Sequence, residues 1–249
     1  MTAIDWLSIV EASFVVMAAA ALQISTGFGF SLVAVPVLLT LLPARVGIQV
    51  NILLSLVISL VMLARTHTEL EKPLLRHLVL GSIFGLPLGI LAFLSLSIRD
   101  IKLGLALAIL AVTVILMTRV RFVRTASRDR VVGFLAGFFG TSVGVPGPPL
   151  LAYMAGAAEA KALVRSTSLT FYLVVYGAAF LLQAFTVGIG GHLLSLSAVM
   201  LPAVAIGMAL GQKVFAHLTP VAFRLLQYGI LIGTGCYLLF SWLASGPFR

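Results

Sequence analysis

Residues 137–151 read GFFGTSVGVPGPPLL. They lie in an uncharged run from Val131 to Ala158, most of it apolar enough for hydrocarbon. Prolines at 146, 148 and 149 are incompatible with a continuous helix there, because each lacks an N–H and crowds the preceding turn. Backbone groups left unpaired in lipid cost several kcal/mol each, so such a break must be buried in protein or line a wet cavity. A second, weaker version lies earlier, at 25–36: STGFGFSLVAVP, with two glycines, three hydroxyls and a proline. It too sits within an uncharged run, Ala12 to Ala44.

Composition sets the frame for both stretches. Of 249 residues, 61% are hydrophobic and only 9% charged, with mean hydropathy +1.19. A soluble domain carries about a quarter charged residues, so this chain lacks the means to cover a water-facing surface. It reads as an integral membrane protein. A signal peptide ahead of a soluble domain is excluded, since uncharged runs continue to the C-terminus and no Lys or Arg precedes the first. The excess of 16 Lys+Arg over 7 Asp+Glu does not point to nucleic acid, because the basic residues fall between the apolar runs, as membrane orientation requires. Cys236 is the single cysteine; it excludes an internal disulfide and reads as a small packing residue.

The charged residues mark the crossings. Uncharged runs cover 12–44, 46–64, 77–98, 103–118, 131–158, 166–212 and 225–248, against about 20 residues for one helical crossing. The run 166–212 divides at GIGGH, 188–192, into segments near 166–184 and 197–213. Gly85-Leu-Pro-Leu-Gly89 and Gly207-Met-Ala-Leu-Gly211 match at an offset of 122, and an offset of 113 aligns Gly27 with Gly140 and Pro36 with Pro149. The predicted fold is therefore an all-α polytopic transmembrane bundle of two inverted four-segment repeats. It has about 8 membrane segments by helix length, two of them broken or re-entrant. The expected organisation is a first repeat over 1–118, a basic linker over 119–130 and a second repeat over 131–249. From Val131 to Phe139 there is room for only about 13 Å of helix, so the second broken segment reads as re-entrant, whereas Ile4 to Ile24 is long enough to cross.

If both broken segments enter and leave on the same side, loops 65–76, 119–130, 157–165 and 213–224 share a side with 12 Lys or Arg, against four on the other. The rule that basic loops stay inside then places the 119–130 loop in the cytoplasm and both termini outside.

In carriers built from inverted halves, broken helices meet near the midplane and turn their N-termini toward anionic groups. The candidate substrate-binding residues are Ser25, Thr26, Gly27, Gly29 and Ser31 in the first break and Gly140, Thr141, Ser142, Gly144 and Gly147 in the second. Asn51, Arg165, Ser166 and Thr167, at the polar starts of the helices that follow, join them, and Pro36, Pro146, Pro148 and Pro149 are the candidate helix breaks. Arg165 offers a planar fork suited to sulfonate or carboxylate oxygens, against the plainer role of interface anchor. Membrane glycines also serve close helix packing, and Ser or Thr hydroxyls also bond back to their own helix. Gln183 and Gln212 read as interhelical donors, and Tyr172 and Tyr176 as packing or interface aromatics. Carboxylates and histidines fall near run boundaries, so no titratable chain crosses the middle, and export of an anion requires no buried carboxylate for proton coupling.

The segment AGFFGTSVGVPGPPLLAYM (136–154) and its weaker copy at 22–38 resemble the sulfite exporter TauE/SafE family, as do the length and two-half layout of the whole chain. Gly140, Gly144, Gly147 and Pro149 match the family pattern, whereas Thr141 and Ser142 stand where glycine or small residues are common, and Phe28 and Phe30 interrupt the first copy. The resemblance implies a bacterial inner-membrane permease that exports sulfite, organosulfonates or related carboxylates, with a small anion and membrane lipid as its partners and no cofactor. The oligomeric state stays open, a homo-oligomer included. An anion channel is the alternative. A membrane enzyme or assembly factor fits less well: no histidine or carboxylate is placed beside a nucleophile in the glycine-rich segments, metal-ligand spacing is missing, and a scaffold has no need of paired breaks.

Overall fold

The computed structural model describes residues 6–66, 70–118, 121, 123–157, 159–217 and 219–244. Ten helices account for nearly all of them: α1 (Trp6–Thr26), α2 (Phe30–Leu41), α3 (Ala44–Thr66), α4 (Lys72–Ser95), α5 (Ile98–Met117), α6 (Ala126–Ser142), α7 (Gly147–Gly156), α8 (Lys161–Thr186), α9 (Gly191–His217) and α10 (Pro220–Ala244). Five helices are long and apolar enough to cross a membrane: α1, α3, α4, α8 and α9. Phe30–Leu41, Lys102–Val114 and Leu231–Ala244 are shorter apolar stretches.

The outer surface is apolar and the interior is partly polar, the reverse of a water-soluble bundle. Phe14, Phe84, Phe185 and Phe240 are exposed, while Asn51, Ser55, Ser59, Thr141 and Thr167 are fully buried. Lipid can solvate phenyl rings but not hydroxyls or amides, so the polar groups turn inward.

Close packing of α4 on α6 and of α1 on α9 holds the bundle together. Glycines make these contacts: a side chain at Gly85 or Gly89 would strike the carbonyls of Phe134 and Phe138 on α6, and one at Gly207 or Gly211 would strike those of Met17 and Ala21 on α1. Such backbone approach lets dispersion forces act over the whole contact length, which replaces the hydrophobic drive missing between helices in lipid. The helix pairs α3 with α8 and α5 with α10 complete the core.

Two sequence expectations change. The second broken segment begins earlier than Val131: α6 starts at Ala126, where the Thr125 hydroxyl accepts from the Arg128 N–H and caps the helix. With 17 residues α6 is about 25 Å long, nearly double the length expected, and it takes part of the basic linker into its first turn. Pro36 does not break a helix, since it lies inside α2. The prolines of the second break stand where α6 has ended and α7 begins: Pro146 precedes α7, and Pro148 and Pro149 occupy its first turn, where proline's missing N–H has no intrahelical partner to lose.

Candidate functional site

The two interruptions meet. The first runs through Gly27–Gly29 between α1 and α2, the second through Val143–Pro146 between α6 and α7, and every residue from Gln23 to Leu32 and from Gly140 to Met154 is buried. Both lie against α8, and together they line a small cavity of about 10 Å³, room for about one water. Gln23 of α1, Gly29, Ser31 and Leu32 line it from one side, Val145 and Gly147 from the other, and Tyr172 and Tyr176 of α8 close it.

Backbone geometry at each break requires glycine. Gly27 and Gly29 have φ of 84° and 110°, and Gly144 has 73°, the left-handed region that costs other residues energy. Space is equally tight: a Cβ on Gly27 would lie 2.6 Å from the Arg165 Cα, and one on Gly144 would lie 2.6 Å from the Asn51 Nδ2. Each break is thus seated against the helix that follows the other break, α8 for the first and α3 for the second.

A hydrogen-bond relay joins the two. The Ser31 and Tyr176 hydroxyls are 2.6 Å apart. The Tyr176 hydroxyl donates to the Gly144 carbonyl at 3.4 Å, which also accepts from the Asn51 amide at 2.8 Å. Ser55 approaches Ser31 at 3.4 Å. Gln183 donates to the Thr141 carbonyl at 3.0 Å, satisfying an end-of-helix acceptor that α6 itself leaves open. Asn51 and Gln183 therefore act as side-chain substitutes for the missing helical turn.

The predicted residues divide between two environments. Gly29, Ser31 and Gly147 line the cavity, Gly144 stands one hydrogen bond behind it through Tyr176, and Asn51 stands one further back. The hydroxyls of Ser25, Thr141, Ser142 and Ser166 bond to carbonyls of their own helices, and Thr26 bonds both to Leu22 and to Phe28 across the turn. The Thr167 hydroxyl is buried with no hydrogen-bond partner. Gly140 belongs to α6 rather than to the unwound stretch and meets Val175 of α8. Arg165 is half-buried and reaches the first break through its backbone.

Sequence reasoning missed Gln23 and undervalued the two tyrosines. Gln23 is 1% exposed, and its Nε2 has no hydrogen-bond partner. Its signal in sequence was a lone amide two residues before the first hydroxyl pair. Tyr172 and Tyr176, four apart on one helical face, read as packing residues until the cavity showed what that face meets.

A second polar group lies at one end of α4, α6 and α7. The Asp129 carboxylate is buried and accepts from the Tyr153 hydroxyl at 2.6 Å, with His77 Nδ1 3.0 Å away. Arg124 forks onto Glu71 at 2.5 and 2.8 Å and reaches Glu159 at 2.7 Å. The guanidinium beside Glu71 holds that carboxyl below its usual range, and the two carboxylates raise the Arg124 pKa. Asp129 occupies a helix end, as expected for a boundary carboxylate, but the sequence did not reveal its burial.

Residues 12–238 match the profile of the family described as Sulfite exporter TauE/SafE. That span is nearly the whole chain, and the protein belongs to this family of membrane transporters. No curated protein and no solved structure gave a match.

Proposed function

We propose that this TauE/SafE-family chain is a bacterial inner-membrane permease that moves a small sulfur oxyanion, organosulfonate or related carboxylate outward through the point where its two helix breaks meet. The observation that carries this reading is the buried cavity shared by Gly29 and Ser31 of one break, Gly147 of the other and Tyr176 between them. Irregular backbone at membrane depth is tolerated where it serves a binding site, and both breaks are fully enclosed by protein.

The inverted-repeat reading gains support from the packing. Exchanging each of α1–α5 with the helix five places later turns the α1 and α9 contact into that of α6 and α4, and the α2 and α10 contact into that of α7 and α5. Gly27 and Gly144 share positive φ and are 117 apart, as are the carbonyls that face the packing glycines, Met17 with Phe134 and Ala21 with Phe138. This register replaces the offset of 113, which is about one helical turn out. The boundary between the halves falls just before Thr125. The basic-loop count places the Arg124 and Asp129 cluster on the cytoplasmic side, with both termini periplasmic.

A cavity of about 10 Å³ is too small for a three-oxygen anion, so passage requires the two breaks to part. An inside-negative potential favours exit by about 2.3 kcal/mol per charge per 100 mV. The test is efflux of sulfite and methanesulfonate from proteoliposomes under an imposed potential. Wild-type protein should support saturable efflux, and Gly29→Val should lose it while still inserting. Undiminished efflux in Gly29→Val overturns the site.

A further inference from the structure

We infer that the central cavity is a charge-neutral hydrogen-bond cradle that selects monoanions over dianions, with Gln23 as a ligand-binding donor; this rests on the permease reading above. Every side chain that lines the cavity is uncharged. Arg165 contributes backbone at Gly27 and is not among the lining side chains. What the cavity offers instead is donors. The first-turn N–H groups of α2 have no intrahelical acceptor, no side chain caps that helix, and its N-terminus carries a positive partial charge. The hydroxyls of Ser31 and Tyr176 lie alongside.

Gln23 is the independent observation. It lines the same cavity, it is buried, and its Nε2 donates to nothing. A buried amide donor without an acceptor costs about 1–3 kcal/mol, so Gln23 is placed for an acceptor that the protein itself does not supply, a water in the closed cavity or a ligand's oxygen. An oxyanion held between this amide and the start of α2 supplies that acceptor.

Charge selectivity follows from desolvation. Dehydrating an ion costs free energy that rises with the square of its charge, and hydrogen-bond donors without a full opposing charge recover only part of it. Once the breaks part to admit an anion, neutral donors of this kind can hold a monoanionic sulfonate or hydrogensulfite, whereas a dianion of the same size loses far more hydration than they return.

Methanesulfonate and sulfate are close in size and differ in charge, so they make the test. Their dissociation constants are measured by calorimetry on the purified full-length protein in lipid nanodiscs at neutral pH. Wild-type protein should bind methanesulfonate at least tenfold more tightly than sulfate. Gln23→Met, similar in shape but without a donor, should weaken methanesulfonate at least tenfold at unchanged Tm. Gln23→Glu, which adds a like charge, should abolish it, and Gln23→Asn should restore part. Sulfate binding as tight as methanesulfonate, no binding of either anion, or full methanesulfonate affinity in Gln23→Met overturns the inference. Gly29→Val separates the layers: if it binds normally, the permease site itself is misplaced; if it loses binding while Gln23→Met keeps it, only the role of Gln23 fails.

Discussion

The two helix breaks do the same topological job with different chemistry. The first is a glycine break: Gly27 and Gly29 both take left-handed backbone, and α2 starts with first-turn N–H groups that have no intrahelical acceptor and with no capping side chain. The second is a proline break: Pro148 and Pro149 begin α7 without N–H groups, and the flanking carbonyls of Thr141 and Gly144 are taken up by Gln183, Asn51 and Tyr176. One break therefore keeps its donors available, and the other has its acceptors tied to the scaffold. Their surroundings differ in the same direction. Tyr153 in α7 and Glu159 just past its end are bound to Asp129 and Arg124, whereas α2 is held by a neutral bond from Thr234 to the Leu32 carbonyl at 3.0 Å. On the function proposed above this is a division of labour, with the second break as fixed wall and the first as the ligand-facing side.

The sharpest way to break this comparison is to deform the wall. Gly144→Val should lower transport by about 10–100-fold, since left-handed strain costs on the order of 1–3 kcal/mol and its Cβ would meet Asn51 at 2.6 Å; initial efflux rates beside a membrane-insertion assay check this. Tyr176→Phe removes the hydroxyl that links the breaks. A net hydrogen bond of about 1 kcal/mol predicts roughly fivefold slower efflux, with little loss in Tm because Asn51 still serves the Gly144 carbonyl.

Arg124→Gln should act on stability rather than on substrate affinity. Its partners are partly exposed, so the loss at neutral pH should be about 1 kcal/mol or less. The pH dependence has a definite sign. Glu71 has a lowered pKa in the folded protein, so its contribution is present above the ordinary carboxylate range and is lost as pH falls through the folded value. The difference in Tm between wild type and Arg124→Gln should therefore close in acid.

The smallest effect belongs to Ser142→Ala. That hydroxyl bonds the Phe138 carbonyl of its own helix at 2.7 Å, so efflux and Tm should change by less than about 0.5 kcal/mol equivalent. A large loss of transport would move the second break from wall to ligand contact.

Much of this arrangement was legible in the residues. The uncharged runs gave the long helices, since hydrocarbon admits few other backbones. GIGGH gave the turn between α8 and α9, where Gly188 has φ of 82°. The offset of 122 gave the packing glycines of α4 and α9. Other features were hidden. The first residue of α6 depended on a cap at Thr125 in a stretch that reads as a charged linker. Pro36 carried the mark of a break and proved to be helical, because the Leu32 carbonyl that its missing N–H leaves open accepts from the Thr234 hydroxyl instead. Gly140 is as good a sequence match to Gly27 as Gly144 is, and only the positive φ that Gly27 and Gly144 share distinguishes them.

The sequence by itself determined that the chain is a helical membrane protein with two interrupted segments, because hydropathy and the steric limits of glycine and proline are local properties. Only the tertiary structure decided that the interruptions share one cavity lined by buried residues, that Tyr172, Tyr176 and Gln23 face it, and that Asp129 is buried with a tyrosine and a histidine. These are facts about which distant helix faces meet, and the chain's own periodicity does not contain the rotation of one helix against another.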